Sequence, residues 1–510
     1  MRGMGRGAMA REYREAPSGA RFGKPDSAKG QQGKREQGNF RRMKEETRGG
    51  HGPKAYQQGE GSRTQRTYQQ GEGSRSSKAY QQAEGSRGPK EYQQSGGSRG
   101  SEAREGVRGR SSGGPKQGEG AKEKKHKLCP VSAKCGGCRW INIGYKEQLE
   151  AKATRFRRQM EPYCKPEPLI AMEEPTHYRN KVHAVFGIDS KHNIISGIYE
   201  EKSHRIVPVD SCLIENQKAD EIILSIRGLL KSFKIRPYNE DTGYGLFRHV
   251  LVRVGHVTGE IMVVLVLSSP VMPSKNNFVK ALRQLHPEIT TIVVNVNYRD
   301  TSMVLGDKEQ VIYGKGYIED ELCGMTFRIS PKSFYQVNSV QTEKLYAKAM
   351  EYAEITGKET VLDAYCGTGT IGLIAAKKAK EVIGVELNKD AVKDAISNAR
   401  RNGIENISFY HNDAGRFLLE MSEQSAELDV LFMDPPRSGS DQAFLDAVAR
   451  IRPRRVVYIS CNPETLVRDL DILGKKGYRV DKCVAVDMFP YTESLEAVVA
   501  LSRKPESSRR

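Results

Sequence analysis

From Leu128 onward the apolar residues fall into two textures. Between Tyr178 and about Asn297 they form short runs, Val182–Phe186, Ile194–Ile198, Val250–Val254, Ile261–Leu267 and Ile292–Val296, separated by Gly and Asn turns. One run with helical spacing, Lys218–Phe233, interrupts them. This pattern predicts a small antiparallel α+β domain. From Thr360 strand and helix alternate. Strands are predicted at Val361–Ala364, Glu381–Glu386, Ile407–His411, Val430–Asp434 and Val456–Ser460, and helices at Thr370–Lys378, Lys389–Asn402, Gln442–Arg450 and Thr465–Gly474. Alternation of this kind predicts an α/β fold with a doubly wound, mostly parallel, Rossmann-like sheet. A further helix is expected over Lys146–Arg158, after a stretch rich in cysteine.

Residues 1–127 have neither texture. They contain no Ile, Leu or Trp and a single Val, Val107. Such a segment cannot bury enough apolar surface to offset the entropy of ordering it, so it reads as a disordered tail. Within it a 12-residue unit occurs four times, from Lys54, Arg66, Lys78 and Lys90, as in KAYQQGEGSRTQ. A stacking repeat needs an apolar face, and this one has none. Each copy sets one Tyr and an Arg on a Gly/Ser/Gln background. That suits sequence-tolerant RNA contact through stacking and phosphate attraction, and it equally suits a passive linker.

Charge follows the same division. Of the formal net charge of +19, the tail holds 29 Lys and Arg against 14 Asp and Glu, and the rest of the chain is nearly balanced at 53 against 49. A basic tail favours a polyanionic partner. The longest apolar run, Ile261–Leu267, is far short of the roughly 20 residues of a membrane span, and the basic N-terminus lacks the apolar core of a secretory signal. Nine cysteines, an odd number, argue for reduced thiols, metal ligation or catalysis rather than disulfides. The expectation is a cytoplasmic protein acting as a monomer.

The candidate chemistry lies at the ends of the alternating strands. The first ends in Asp363-Ala-Tyr-Cys-Gly367-Thr-Gly369-Thr370 and runs directly into a helix, so a ligand can approach the backbone at the helix N-terminus. The next ends in Glu386, where a carboxylate can take two ribose hydroxyls. The spacing departs from the dinucleotide pattern and suits S-adenosylmethionine better than a nicotinamide cofactor. The fourth strand ends in Asp434-Pro-Pro-Arg437, an acid in a rigid loop above the cofactor position. The fifth ends in Ser460-Cys461-Asn462-Pro463. A lone cysteine is most often a small buried hydrophobe, but one in a polar turn on this rim can serve as a nucleophile. Carbon 5 of uracil needs a thiolate at carbon 6 before it attacks a sulfonium methyl, and the adduct then needs a base to remove the carbon-5 proton. A carboxylate for that step is available in Pro490-Tyr-Thr-Glu493-Ser-Leu-Glu496.

Taken together, these segments resemble the RNA uracil-5 methyltransferase family. The matches are Ser330-Pro-Lys-Ser-Phe-Tyr-Gln336-Val-Asn338, Leu362 to Thr370, Gly384-Val-Glu386, Met433 to Arg437, Tyr458 to Pro463, and Asp487-Met-Phe-Pro490 with Leu495-Glu496, in family order from about residue 128 to 505. The resemblance implies a class I methyltransferase fold that methylates carbon 5 of a uridine in structured RNA through a covalent cysteine adduct. It implies Cys461 as nucleophile, Glu496 as base, and Gln336, Tyr365, Thr370, Glu386, Asp413 and Asp434 as residues binding S-adenosylmethionine. The family often has His where this chain has Ser494, and Glu493 competes with Glu496 for the role of base. A second reading is an RNA-binding assembly factor without turnover. A third, amino-group methylation of adenine, has no use for Cys461.

The front of the ordered chain carries Cys129-x5-Cys135-x2-Cys138, a set short of one ligand. Its spacing permits zinc. The resemblance implies a [4Fe-4S] cluster, with Cys212 in Val207-Pro-Val-Asp-Ser-Cys212 as the distant fourth thiolate and Cys164 as the competitor. The same resemblance favours 23S ribosomal RNA over transfer RNA as substrate. The layout expected is a basic tail over 1–127, the cysteine motif and helix over 128–165, a central RNA-binding α+β domain over 166–325 and the methyltransferase domain over 326–505.

Overall fold

The structure, a computed structural model, describes residues 128–299 and 303–505; the repeats and the basic tail expected over 1–127 lie outside the described residues. A short helix α1 (Ser132–Cys135) and the longer α2 (Tyr145–Met160) come first. Then follow β1 (Lys181–Ile188), β2 (Ile194–Tyr199), β3 (Ile206–Pro208), α3 (Gln217–Ser232), β4 (Phe247–Val254), β5 (Ile261–Leu267), α4 (Lys275–Leu285), β6 (Ile289–Val296) and β7 (Lys308–Tyr313). These strands form one sheet in the order β3-β2-β1-β4-β5-β6-β7. Neighbours are antiparallel except β5 and β6, which run parallel. A parallel return needs a crossover, and α4 supplies it. That helix escapes sequence reading because its buried face is thin, Phe278 and Leu282 alone.

A hairpin of β8 (Ile318–Leu322) and β9 (Met325–Ile329) leads to α5 (Ser339–Ala353) and the second sheet. Its elements are β10 (Thr360–Asp363), α6 (Thr370–Ala376), β11 (Glu381–Glu386), α7 (Lys389–Arg401), β12 (Ile407–His411), α8 (Ala414–Glu423), β13 (Val430–Met433), α9 (Gln442–Ile451), β14 (Arg455–Ser460), α10 (Pro463–Lys475), β15 (Tyr478–Val486) and β16 (Glu496–Arg503). The sheet order is β12-β11-β10-β13-β14-β16-β15, parallel up to β14 and closed by the antiparallel pair β16 and β15. The doubly wound, mostly parallel sheet expected from the alternation is therefore present, with an antiparallel edge. Side chains alternate faces along each strand. Val457 and Ile459 of β14 join a core shared with α5, the hairpin and one face of the first sheet. Val456 and Tyr458 join the opposite core, under α8, α9 and α10. Among the described residues no helix is long and apolar enough to cross a membrane.

Helix α2 is bound to the second sheet, although it precedes the first in sequence. Its buried residues are Gln148, Lys152, Phe156 and Met160, one ridge at intervals of four. Phe156 and Met160 enter the apolar core beneath α10. Lys152 is fully buried and donates to Asp487 Oδ1 at 2.6 Å and to the Phe489 carbonyl at 3.1 Å. Tyr145 donates to the other Asp487 oxygen at 2.8 Å. A buried charge is tolerable only when paired and hydrogen-bonded. Replacing Lys152 by Ala leaves Asp487 uncompensated and is expected to lower the unfolding free energy by about 3–5 kcal/mol, measured by urea denaturation. A loss below about 1 kcal/mol, the range of surface pairs, would contradict this account.

Candidate active site

The glycine turn after β10 is set by its backbone. Gly367 and Gly369 both have positive φ, 54° and 85°, a region that disfavours side chains, and a Cβ built on Gly367 meets nothing within 4 Å. Glu386, at the end of β11, accepts from the Gly367 N–H at 3.0 Å and, through its other oxygen, from the Asn388 N–H at 2.7 Å. Each oxygen retains a lone pair, so the carboxylate can still accept from a sugar hydroxyl. Asp363 accepts from the Gly372 N–H at 2.8 Å, while its second oxygen is buried without a partner. Burial pushes this carboxyl up to about 7, with Asp434 and Glu386 adding to the rise.

Gln336, Tyr365, Thr370 and Asp434 line one narrow cleft over this turn, with Tyr346 and Gly367. The Tyr346 hydroxyl is 3.4 Å from Thr370 Oγ1. Gln336 arrives from the loop before α5, where Asn180 of the first sheet's lead-in donates to its carbonyl at 3.0 Å. Asp413 is not among the lining residues. It caps α8, accepting from the Arg416 N–H at 2.9 Å, and is exposed. An open glycine cradle, a strand-end carboxylate with spare lone pairs and a row of polar side chains fit the nucleoside and amino-acid portions of S-adenosylmethionine.

A second cavity, of about 260 Å³, adjoins the strand ends on the side of Cys461 and is walled by Arg155, Gln159, Arg437, Asn462 and Glu493 among others. The pairing of β14 with β16 ends at Ser460 opposite Ala497. One step further along that register, Cys461 stands opposite Glu496. Glu496 is 4% exposed, whereas the Glu493 side chain is 48% exposed and lies 3.9 Å from Arg139. Burial pushes the Cys461 thiol up to about 11, with Glu496 and Asp434 adding to the rise and Arg437 opposing it. Burial holds Glu496 well above the usual carboxylate range, again with Asp434 adding and Arg437 opposing. Asp434 is pushed up to about 7 by burial. A thiol and two carboxyls in low dielectric cannot all ionise together.

Cys129, Cys135, Cys138 and Cys212 line a third cavity, of about 220 Å³, with apolar walls that include Ile141, Ile198 and Ile223. Cys164, the competing candidate, is not with them: it packs against Cys483 of β15 with the sulfurs 3.1 Å apart. Among the described residues no group of three or more His, Cys, Asp or Glu side chains is placed to hold a metal ion.

The sequence model of the tRNA (uracil-5-)-methyltransferase family matches residues 144–504. An uncharacterised RNA methyltransferase of Caldanaerobacter subterraneus subsp. tengcongensis is 42% identical over 389 residues, covering 76% of this chain and 86% of its own. Another, of Halalkalibacterium halodurans, is 42% identical over 381 residues, 74% of this chain and 83% of the relative. This chain belongs to the RNA (uracil-5-)-methyltransferase family. Among solved structures it is similar to the Pyrococcus abyssi tRNA (uracil-54, C5)-methyltransferase in complex with S-adenosyl-L-homocysteine, at 29% identity and a TM-score of 0.61, covering 72% of this chain and 85% of that one. The protein is thus an S-adenosylmethionine-dependent RNA methyltransferase.

In this methyltransferase, Arg155, Gln159 and Tyr346 border the two active-site cavities, and no sequence motif marks them. The signal available is the spacing of Arg155 and Gln159, which sets them one turn apart on α2, but nothing local says which surface that turn faces. The titration of Cys461 gives a direct check. Its labelling by iodoacetamide, followed by peptide mass spectrometry, should rise about tenfold per pH unit from pH 7 to 10 because the reactive thiolate is the minor form throughout. Glu496→Gln should move the curve to lower pH and Arg437→Ala to higher pH. Labelling that saturates by pH 8 would refute the raised thiol.

Proposed function

We propose that this methyltransferase modifies carbon 5 of a specific uridine in structured RNA through a covalent bond between Cys461 and carbon 6. The observation that carries the reading is the register that sets Cys461 opposite the buried Glu496, at the strand end beside Asp434. S-adenosylmethionine, held by Gln336, Tyr365, Thr370, Glu386 and Asp434 with Asp413 beyond the cleft, supplies the methyl group. Cys461 gives its thiol proton to solvent and adds as thiolate to carbon 6, leaving carbon 5 as the nucleophilic end of an enolate. Asp434 lines the cofactor cleft. After methylation Glu496 takes the carbon-5 proton, the carbon 5–carbon 6 double bond re-forms and the thiolate leaves as it entered. The one proton lost overall is that of carbon 5, passed from Glu496 to solvent. Burial, which raises the carboxyl, makes the ionised form a strong base for this step.

The favoured substrate is 23S ribosomal RNA, as the cysteine motif's resemblance implies. Transfer RNA is the second reading, favoured by the likeness to the Pyrococcus abyssi tRNA (uracil-54, C5)-methyltransferase. We read Cys129, Cys135, Cys138 and Cys212 as ligands of a [4Fe-4S] cluster. Four thiolates lining one cavity are a donor set that such a cluster takes, and the family resemblance favours iron over zinc. The cluster would join the cysteine motif to the 166–325 domain, where we place RNA binding, with no part in the transfer itself.

Cys461→Ala should abolish methylation and covalent trapping by 5-fluorouridine RNA. Glu496→Gln should slow turnover by about 10²–10⁴-fold, the usual worth of a general base, while a Cys461 adduct with ordinary RNA accumulates. Mapping 5-methyluridine in ribosomal and transfer RNA from cells with and without the gene identifies the substrate; turnover by Cys461→Ala would defeat the covalent mechanism. Anaerobically purified protein should contain about four irons and four sulfides per chain, reduced by Cys212→Ala and untouched by Cys164→Ala. Stoichiometric zinc in place of iron would overturn the cluster.

A further inference from the structure

Two thiols that neither the strand-end site nor the four-cysteine cavity uses meet behind the second sheet's edge. Cys164 follows α2 and Cys483 lies in β15, 319 positions apart in sequence, with their sulfurs 3.1 Å apart. Cys164 is half-buried, whereas Cys483 is fully buried. The main chains around them are already paired. The Glu167 N–H donates to the Cys483 carbonyl at 2.8 Å, and the Ile170 N–H donates to the Ala485 carbonyl at 2.9 Å. Ile170 is also bridged to Val486, so the segment after α2 lies along the edge of β15. A bond between two sulfurs needs them about 2 Å apart. Here that is an approach of about 1 Å between side chains on backbones that are tied together.

The two thiols differ in reactivity. The contact with Cys483 lowers the Cys164 thiol below its ordinary range, against the effect of burial. The same contact, joined by burial, raises Cys483 above that range. A thiol exchanges with a disulfide by attacking as thiolate, and it must be reachable. Cys164 meets both conditions and Cys483 meets neither. Cys461, pushed up to about 11, is the poorer attacker at neutral pH. Two cysteines that only filled an apolar core would have no reason to differ in this way. A partly exposed attacking sulfur with a second, shielded sulfur in contact is the arrangement of a two-step exchange site.

We propose that Cys164 and Cys483 form a thiol–disulfide exchange site that reacts with low-molecular-weight disulfides and closes into a reversible crosslink between the segment after α2 and β15. Cys164, as thiolate, attacks one sulfur of the incoming disulfide, and the other half leaves. Cys483 then attacks the Cys164 sulfur and displaces the second half. The two departing thiolates take up the two protons that the cysteines gave up. Two protein thiols lose two electrons, and the small disulfide gains them as it becomes two thiols. The crosslink pins residues 164–170 to the strand that runs on into Asp487, the partner of Lys152.

The test uses the full-length protein, purified anaerobically and incubated with oxidised glutathione. Free thiols are then blocked with N-ethylmaleimide under denaturing conditions, and the protein is digested without reductant for peptide mass spectrometry. The peptides of Cys164 and Cys483 should be recovered linked, and dithiothreitol should separate them. In the same samples Cys461 should carry maleimide. Cys483→Ala should leave Cys164 as a stable mixed disulfide with glutathione, and Cys164→Ser should leave Cys483 as a free thiol. Wild-type protein in which both cysteines carry maleimide overturns the proposal. So does a mixed disulfide on Cys164 that persists while Cys483 is intact, or a Cys164 linked to any other cysteine.

Discussion

A carboxyl must be carried from the edge of the second sheet to the thiol at the next strand end, and the segment that carries it has no regular structure of its own. Residues 487–495 are held by the buried ion pair of Lys152 with Asp487 and by bonds radiating from it. Gln341 takes the Asp487 carbonyl, Asn338 the Met488 carbonyl, Lys152 the Phe489 carbonyl and Tyr178 the Pro490 carbonyl. Tyr491 adopts a left-handed backbone, φ 65°, and is clasped by the Gln148 side chain on its N–H and by the Trp140 N–H on its carbonyl. With water excluded, each of these bonds is costly to lose. The helix that precedes both sheets in sequence therefore determines where Glu496 begins.

The same exclusion of water sets the chemistry. Cys461, Asp434 and Glu496 are all pushed toward their neutral forms, and Arg437 opposes the shift at the thiol and at Glu496. A cysteine held as thiol is protected from stray electrophiles and oxidants. Glu496, once ionised, is a strong base for the same reason, since a carboxylate stranded in low dielectric recovers a proton readily.

The cysteine cavity and the loop before β16 share a wall. Ile141, Met172, Tyr178, Ile214 and Tyr491 form one apolar cluster, with Cys129, Cys138 and Cys212 packed against it. Tyr491 belongs to the loop that leads to Glu496, and Tyr178 also bonds that loop. The apolar wall against which three of the four thiols pack is thus continuous with the segment that leads to Glu496.

Features whose signal is local were legible before any fold was known. The alternation after Thr360, the glycine turn at Gly367 and Gly369, and the carboxylate, acid-Pro-Pro and cysteine that end three of the strands can each be read within a few residues, because strand period, turn chemistry and motif spacing are short-range properties. Apart from what the family resemblance implied, the long-range assignments were not legible. Lys152 reads as one more solvated lysine until its partner 335 positions away is known. Cys164 and Cys212 are alike as sequence, and only the fold sends one to Cys483 and the other to Cys138's cavity. Glu493 and Glu496 differ by three positions, and the strand register decides which is buried beside the thiol. Gln159 and Arg155 become part of a pocket because α2 packs under α10, a contact fixed by Phe156 and Met160 in a core assembled from distant strands. Periodicity reports which face of an element is buried; what that face is buried against is a property of the tertiary structure.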